Sequence, residues 1–370
     1  MDGKYEDLAG DSDQDFPEEG PSAPPPGWLD NVTGYDGMFP DQDCADILYP
    51  PPKDHVPVPE NDRGSAVPEV RVPVVTEDVA REALLQFVGK KWTYSSKPAR
   101  NMVFKDLRPF TVYRYRLETF TESRSSTWKF EPYTDQFVDG PQYGMSPPPW
   151  DVMVQPPHPF VDSTLDVRVP HSSFIKTCHQ CQGRGRVRCK RCHGKRKVLC
   201  TYCRGNGRAR KKRCSHCHGT GRKRCTPCHG KGSQVCSSCK GHKNLMHFIQ
   251  LTIKRKNHTF EFIPDRLPEF PVKKFEKVSG DPFFVDESVL VYPIVGFPDQ
   301  EICEMSRKMC EEHLSRFSAV SRILQQRQSI ELVPLTHAFY GYNGKDYNYF
   351  VYGIENKVYS PKYPSSCCIL

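Results

Sequence analysis

Two stretches of the chain repeat apolar residues at helical spacing. The first predicts a helix of about thirteen residues that begins after the N-cap Thr76 and ends at Gly89. Its apolar face holds Val79, Ala83, Leu84, Phe87 and Val88. The second predicts a long helix capped by Asp299, with an inner face of Ile302, Met305, Met309, Leu314 and Phe317. Cys303 and Cys310 lie on or near that face, so we interpret both as core residues.

Strict alternation of apolar and polar residues predicts strands in much of the remaining chain. The alternating apolar positions are Tyr113, Tyr115 and Leu117; Trp128 and Phe130; Leu165, Val167 and Val169; Ile249, Leu251 and Ile253; and Phe260 and Phe262. The polar stretches 122–126 and 256–258 are predicted as turns, and Asn343-Gly344 as a type I′ turn between strands at 330–340 and 347–352. The strand at 165–169 runs towards residue 178, and the strand at 249–253 follows residue 243. The pattern therefore predicts an α+β protein in which residues 176–243 project from a β domain.

That projecting stretch contains the spacing Cys-x-x-Cys six times in about sixty residues. The pairs are Cys178/Cys181, Cys189/Cys192, Cys200/Cys203, Cys214/Cys217, Cys225/Cys228 and Cys236/Cys239. Each pair is followed by a glycine two residues later, and four continue to a second glycine: Gly185, Gly207, Gly221 and Gly232. A short turn brings two thiolates to one metal ion, and glycine allows the backbone to take φ > 0 beside the sulfur atoms. We call each Cys-x-x-Cys turn a knuckle. Two knuckles make one site with four cysteine ligands, so the six knuckles of the sequence predict three Zn²⁺ ions.

The spacing between first cysteines reads 11, 11, 14, 11, 11, which is a palindrome. An antiparallel hairpin with its tip near 208–212 would pair the knuckles in a nested way, first with sixth, second with fifth and third with fourth. Sequential pairing also satisfies the counts, but its loops of seven residues are shorter than the usual roughly 15 to 20. The nested order is favoured and both remain open.

Other chemistries for these cysteines are iron–sulfur binding, haem attachment and thiol–disulfide redox activity. Three pairs are followed by histidine, which matches the haem pattern C-x-x-C-H, but the other three are followed by Gln182, Arg204 and Lys240. The acidic, polar start of the chain gives no export signal, so we expect a reducing compartment, cytoplasm or nucleus, in which cysteines bind metal. Structural zinc is the favoured interpretation.

Charge is distributed unevenly along the chain. Residues 1–60 contain 15 Asp and Glu against two Lys, whereas residues 176–243 contain 21 Lys and Arg and no acid. With twelve thiolates and three zinc ions the latter stretch still carries about +15. We expect the acidic, proline-rich residues 1–70 to form a disordered arm. The alternatives are that the arm folds back on the basic stretch, or that Trp28-Leu29 and Ile47-Leu48-Tyr49 act as docking motifs.

These features divide the chain into five regions. They are the arm (1–70), a helix with a β segment (71–175), the cysteine-rich region (176–243), an α+β segment that completes the sheet (244–360) and a tail (361–370).

The Cys-x-x-Cys-x-Gly-x-Gly units resemble the cysteine-rich domain of DnaJ-type co-chaperones. In that family the domain is also an excursion from a β domain, but it has four units and two zinc ions. The J domain has no counterpart, because His158-Pro159 continues to Phe160 rather than Asp. Taken together, the arm, flanking β segments, six knuckles and tail resemble the SSU-two homologue family. The flanking sheet is rich in Tyr, Phe and Trp, which favours binding of extended polypeptide there, with the cysteine-rich region helping to hold it.

Two further motifs remain. The basic run at the predicted tip, which comprises Arg208, Arg210, Lys211, Lys212 and Arg213, fits a nuclear import signal or a phosphate-binding tip, or else a solvated turn. The final residues, Cys367-Cys368-Ile369-Leu370, fit a C-a-a-X box. Cys367 is therefore a lipidation candidate, and its lipidation would lead us to expect peripheral association with membranes.

The sequence shows no nucleophile elbow, phosphate-binding loop or HExxH motif, so we expect a protein that is not an enzyme and has no small-molecule substrate. The favoured hypothesis is a zinc protein that binds unfolded or extended polypeptide. The alternatives are a nuclear nucleic-acid-binding protein that uses the basic cysteine-rich region, and a zinc-linked redox protein.

Overall fold

The computed structural model describes residues 28, 32–35, 46–52, 75–209, 212–267 and 269–364. These residues form a mostly β structure with three α-helices: α1 (Glu77–Gly89), α2 (Lys97–Asn101) and α3 (Gln300–Ser318). None of the helices in these residues is long and apolar enough to cross a bilayer.

The strands vary widely in length. In chain order they are β1 (Ile47–Tyr49), β2 (Val103–Pro132), β3 (Ser163–Arg168), β4 (Phe174–Thr177), β5 (Arg186–Arg188), β6 (Lys197–Leu199), β7 (Arg208–Ala209), β8 (Lys212–Arg213), β9 (Arg222–Arg224), β10 (Ser233–Val235), β11 (Asn244–Phe262), β12 (Asp281–Ser288), β13 (Arg322–Tyr342), β14 (Lys345–Tyr352) and β15 (Lys357–Tyr359).

The chain divides into two compact units. The helix-bearing unit comprises Tyr49–Arg124, Gln155–Leu165 and Ile253–Leu370, and the cysteine-bearing unit comprises Met1–Leu48, Ser125–Val154 and Asp166–Thr252. The structural statements below concern the described residues of each.

In the helix-bearing unit, β13 is the strand around which the core is built. It pairs antiparallel with β2, β12 and β14. Helix α1 buries Ala80 and Leu84 in a cluster with Tyr340 and Tyr349, and the Tyr349 hydroxyl donates a hydrogen bond of 2.8 Å to the Ala80 carbonyl. A second cluster forms where α3 packs on the sheet.

Both predicted helices and the last predicted turn are confirmed. The Thr76 hydroxyl accepts from the Val79 amide at the start of α1, and the Asp299 carboxylate accepts from the Glu301 amide at the start of α3. Asn343-Gly344 has φ of 49° and 74°, as a type I′ turn requires, and joins β13 to β14. On α3, Cys310 is buried in the core, as predicted, and Cys303 is partly buried and packs against the same cluster.

The turns predicted at 122–126 and 256–258 are wrong, because β2 and β11 continue through them. Their polar residues are paired with one another. Buried Glu122 contacts the guanidinium groups of Arg124 and Arg255, each at 2.8 Å, and the Asn257 side chain donates to Glu118. Buried charges that are neutralised by partners can lie in the interior of a sheet, so polarity alone was a misleading turn signal.

In the cysteine-bearing unit, β4 pairs antiparallel with the start of β11, and Thr177 lies opposite Asn244. The strand predicted at 165–169 ends at Arg168 and does not itself reach the first knuckle. The intervening residues include His171 at φ 60°, a conformation that interrupts a strand. The short strand β4, which was not predicted, leads into Cys178 instead.

Part of the predicted disordered arm is packed against the cysteine-bearing unit. Trp28, Val32 and Tyr35 are all buried there. Burial of these hydrophobic side chains offsets the entropy lost when the segment becomes ordered. The acidic, proline-rich composition around them gives no sign of this burial. The other residues of the arm lie outside the described residues, apart from 33–34 and 46–52.

Candidate metal centre

The twelve predicted cysteine ligands form three groups of four, and all twelve are buried. We name the groups the base site (Cys178, Cys181, Cys236, Cys239), the middle site (Cys189, Cys192, Cys225, Cys228) and the tip site (Cys200, Cys203, Cys214, Cys217). The first knuckle joins the sixth, the second the fifth and the third the fourth. The nested pairing is therefore the one that the structure has.

The sulfur geometry fits tetrahedral zinc. Within each site all four Sγ atoms lie within 4.8 Å of one another. Across the paired knuckles the Sγ–Sγ distances are 3.7 and 3.6 Å at the base site, 3.8 and 3.6 Å at the middle site, and 3.9 and 3.7 Å at the tip site. A tetrahedron with Zn–S bonds of about 2.3 Å has edges of about 3.8 Å. The three four-cysteine groups are thus arranged to bind three metal ions, as predicted.

Backbone pairing holds the knuckles in this nested order. Three two-stranded ladders connect them: β5 with β10, β6 with β9, and β7 with β8. At each site the amide of the first cysteine donates to a carbonyl in the partner knuckle. At the tip site, for example, the Cys200 amide donates to Gly221 at 2.9 Å and the Cys214 amide donates to Gly207 at 2.9 Å. Each site is therefore closed by reciprocal backbone bonds as well as by metal.

The local backbone of each knuckle explains its glycines. The residue after the second cysteine and the glycine that follows it both have positive φ, as with Arg204 at 47° and Gly205 at 91°. In the four full units the amide of the second glycine donates to the sulfur of the second cysteine, at 3.2 to 3.4 Å; the pairs are Gly185 with Cys181, Gly207 with Cys203, Gly221 with Cys217 and Gly232 with Cys228. Such bonds stabilise a thiolate.

The second glycine also allows paired knuckles to approach closely. A Cβ atom on Gly221 would lie 2.1 Å from the Gly205 carbonyl oxygen, and one on Gly207 would lie 2.4 Å from that of Gly219. No side chain fits there. The two truncated units place Arg196 and Lys243 at the equivalent position, with φ of 64° and 73°. The backbone carbonyl of each residue still accepts a hydrogen bond from the amide of the first cysteine in the partner knuckle.

The thiol pKa values within each site are pushed apart. Burial raises the pKa of the Cys178 and Cys225 thiols to about 12. Burial would also raise the pKa of Cys228, but hydrogen bonds from the Gly232 amide and from neighbouring thiols outweigh it and lower the pKa to about 6. Cys217 and Cys239 are lowered to about 7 in the same way. Each site therefore has at least one cysteine that is readily ionised to receive a metal ion, and the tip site has two, since the pKa of Cys200 is also lowered by backbone hydrogen bonds.

One ligand-orienting residue escaped the sequence analysis. The Gln180 side-chain oxygen accepts hydrogen bonds from the Ser238 amide and the Ser237 hydroxyl, at 3.2 and 3.1 Å. It thereby links the first knuckle to the sixth beside the base site. A glutamine inside a Cys-x-x-Cys unit has no spacing signal of its own, so only the paired structure reveals it.

The chemistry of these sites is structural. Four buried cysteine ligands leave no open coordination position for water or substrate, which is what distinguishes structural from catalytic zinc. Apolar residues are scarce around the ligands: Leu245 and Val187 join the base cluster and Val198 joins the middle cluster. The metal ions therefore take the place of a hydrophobic core in this region.

The remaining predicted site residues are placed as follows. Arg208 lies in β7, and Lys212 and Arg213 lie in β8, next to the tip site. The Arg213 guanidinium donates to the His218 carbonyl at 2.9 Å, so this residue of the basic run supports a knuckle. Arg210, Lys211 and the lipidation candidate Cys367 lie outside the described residues.

Comparison with known proteins identifies full-length relatives. The chain is 49% identical over 359 residues to the human protein SSUH2 homolog, covering 96% of this chain and 95% of that protein. It is 45% identical over 351 residues to the zebrafish (Danio rerio) SSUH2 homolog, covering 94% and 96%, and 50% identical over 330 residues to the mouse SSUH2 homolog, covering 88% and 97%. No protein-family model and no solved structure matches the chain.

Proposed function

The chain belongs to the family of SSUH2 homologues, and from this premise we propose that it is a non-enzymatic zinc protein that binds unfolded or extended polypeptide, as a chaperone or scaffold. The zinc ions stabilise the cysteine-rich region (176–243), and its outer surface contacts the ligand.

The observation that carries this proposal is the set of apolar side chains that the cysteine-rich region leaves in solvent. Leu199 is 62% exposed and Val235 55%. Ile175 and Phe130, in the adjacent strands, are also exposed. Because metal ions supply the interior, these side chains are free to contact a partner, and exposed apolar residues among polar ones favour binding of polypeptide.

Charge adds to this surface. The cysteine-rich region has 21 Lys and Arg and no carboxylate of its own. Long basic side chains combine an apolar stem with a charged end, so the surface suits segments that mix apolar and acidic residues. A nucleic acid is favoured less, because stacking needs free aromatic faces. Tyr202 is the one aromatic residue between Cys178 and Cys239, and it packs on His216 with ring centroids 4.3 Å apart.

The test is suppression of aggregation of a chemically denatured model protein by the purified, zinc-loaded chain. Replacing Leu199 and Val235 together by Ser should weaken suppression about tenfold, since burying two aliphatic side chains contributes about 1.5 kcal/mol or more. The matched control replaces Val295 and Val320, which are equally exposed in the helix-bearing unit (55% and 47%), by Ser. The control should suppress aggregation as well as the wild type.

Salt dependence separates the two ligand classes. Polypeptide binding, which combines apolar and charge contacts, should weaken much less between 50 and 200 mM salt than binding to a polyanion. Binding to RNA or duplex DNA that falls steeply over this range and is lost on replacing Arg208 and Lys212 by Ala, with no suppression of aggregation, would assign the basic surface to nucleic acid instead.

A further inference from the structure

An aromatic cluster in the cysteine-bearing unit encloses one residue of the N-terminal arm. The Trp28 ring packs on Trp128 at a centroid distance of 5.2 Å and edge-on against Phe174 at 5.4 Å. Phe174 in turn stacks on His247 at 5.3 Å with an interplanar angle of 11°. Trp28 is thus inserted between rings that the sheet supplies, in the arrangement of a ligand side chain in a preformed pocket.

The neighbouring residues 32–35 follow the same surface. Val32 forms an isolated parallel bridge with Ser146, and Tyr35 is fully buried. Gly34 has φ 84° and lies directly on a proline pair, since a Cβ atom on it would be 3.1 Å from Pro149 and 3.2 Å from Pro148. Trp28, Val32 and Tyr35 therefore anchor a short segment in one groove.

This segment is an imperfect occupant of the groove. The indole N–H groups of Trp28 and Trp128 and the hydroxyl of Ser146 are buried and have no hydrogen-bond partner among the described residues. Buried donors without acceptors destabilise a contact. Another extended segment that offered carbonyl oxygens to Trp128 and Ser146 would fit better.

At Val32 the described backbone contact with the rest of the unit is slight. The Val32 bridge is isolated rather than part of a ladder. On the N-terminal side the segment follows Pro24-Pro25-Pro26, in a stretch too acidic and proline-rich to build a core. The isolated bridge at Val32 and the ring contacts of Trp28 favour exchange with a competing segment.

We propose that this groove is a binding site for extended polypeptide with spaced aromatic residues, and that the chain's own Trp28, Val32 and Tyr35 occupy it as an intramolecular competitor. The proposal rests on the proposed function in taking polypeptide as the ligand, and it adds a site and a class of sequence. A client segment enters when it displaces Trp28, so the arm limits binding.

The experiment measures binding of a fluorescently labelled synthetic peptide with the sequence of residues 24–38 by anisotropy. The full-length, zinc-loaded variant with Trp28→Ala and Tyr35→Ala should bind the peptide at least about tenfold more tightly than the wild type, because a tethered competitor has a high effective concentration. A peptide with Ala in place of its Trp and Tyr is the control and should not bind. Equal binding to both proteins, or no binding to the variant, would overturn the proposal.

A second measurement keeps the test independent of the variant's folding. Wild-type chain labelled with 5-fluorotryptophan should give a ¹⁹F resonance for Trp28, assigned with Trp28→Phe, that moves to the position of solvent-exposed tryptophan as excess peptide is added. A Trp28 resonance that does not move contradicts exchange. If the wild type suppresses aggregation while the peptide fails to bind, the groove proposal fails and the proposed function stands. If the peptide binds but aggregation is not suppressed, the groove proposal stands and the proposed function fails.

Discussion

Replacing Gly221 by Ala should release the metal ion of the tip site and leave the other two in place. The new Cβ would lie 2.1 Å from the Gly205 carbonyl oxygen, so the third and fourth knuckles must separate by more than an ångström. The residue also has φ 71°, where alanine is strained by about 1 to 2 kcal/mol.

Separation breaks two hydrogen bonds as well. The Gly221 carbonyl accepts from the Cys200 amide at 2.9 Å, and the Gly207 carbonyl accepts from the Cys214 amide at 2.9 Å. Each of these backbone bonds contributes about 1 kcal/mol. Together with the strain, the expected loss is roughly 3 to 4 kcal/mol, or about a hundredfold to a thousandfold in the zinc affinity of the tip site.

The matched control is Gly241→Ala. Gly241 also has positive φ, at 97°, but the nearest atom to its added Cβ is a methyl carbon of Val235 at 3.6 Å, an ordinary contact. The assay titrates each zinc-loaded protein with a chelator and counts released ions. Gly221→Ala should lose one ion at a concentration at which the wild type and Gly241→Ala keep three. Equal retention by the two variants would refute the reasoning about close approach.

Three further predictions concern both units. Burial lowers the pKa of His313 to about 4, so the unfolded state binds a proton first as pH falls from 6.5 towards 4, and stability drops by on the order of 1 kcal/mol at pH 5. Denaturant titrations at pH 7 and 5 should show a smaller loss for His313→Gln, and equal losses would contradict this. Tyr349→Phe should cost about 1 kcal/mol by removing the bond to the Ala80 carbonyl, whereas exposed Tyr143→Phe should cost nothing measurable. A strong chelator should abolish hydrogen-exchange protection of amides in 178–243 and leave the strands of the helix-bearing unit protected.

Local signals made the metal sites and helices predictable. The knuckle spacing fixes which sulfur atoms can reach one ion, and the palindromic spacing favoured the nested order that the structure has. Likewise, Thr76 and Asp299 fix the starts of α1 and α3 because capping depends on residues within one turn.

Features that depend on distant partners could not be predicted in this way. The stretches 122–126 and 256–258 contain turn-like polar residues, yet Glu122 and Arg255 neutralise each other inside the sheet, and each is intelligible only beside the other. The burial of Trp28 could not be predicted for the same reason, since the rings that enclose it are those of Trp128 and Phe174, about a hundred residues or more away in sequence. Pairing across that distance leaves no periodic pattern in one sequence.

The central claim, three nested zinc sites, is tested most directly by counting metal ions in paired knuckle variants. Elemental analysis of the reduced, purified chain should give three zinc ions. Replacing Cys178 and Cys181 by Ser should leave two, replacing Cys236 and Cys239 should also leave two, and all four replacements together should still leave two, because both knuckles hold the same ion. A wild-type count of two or fewer, or a combined variant that retains only one ion, would contradict the nested three-site account.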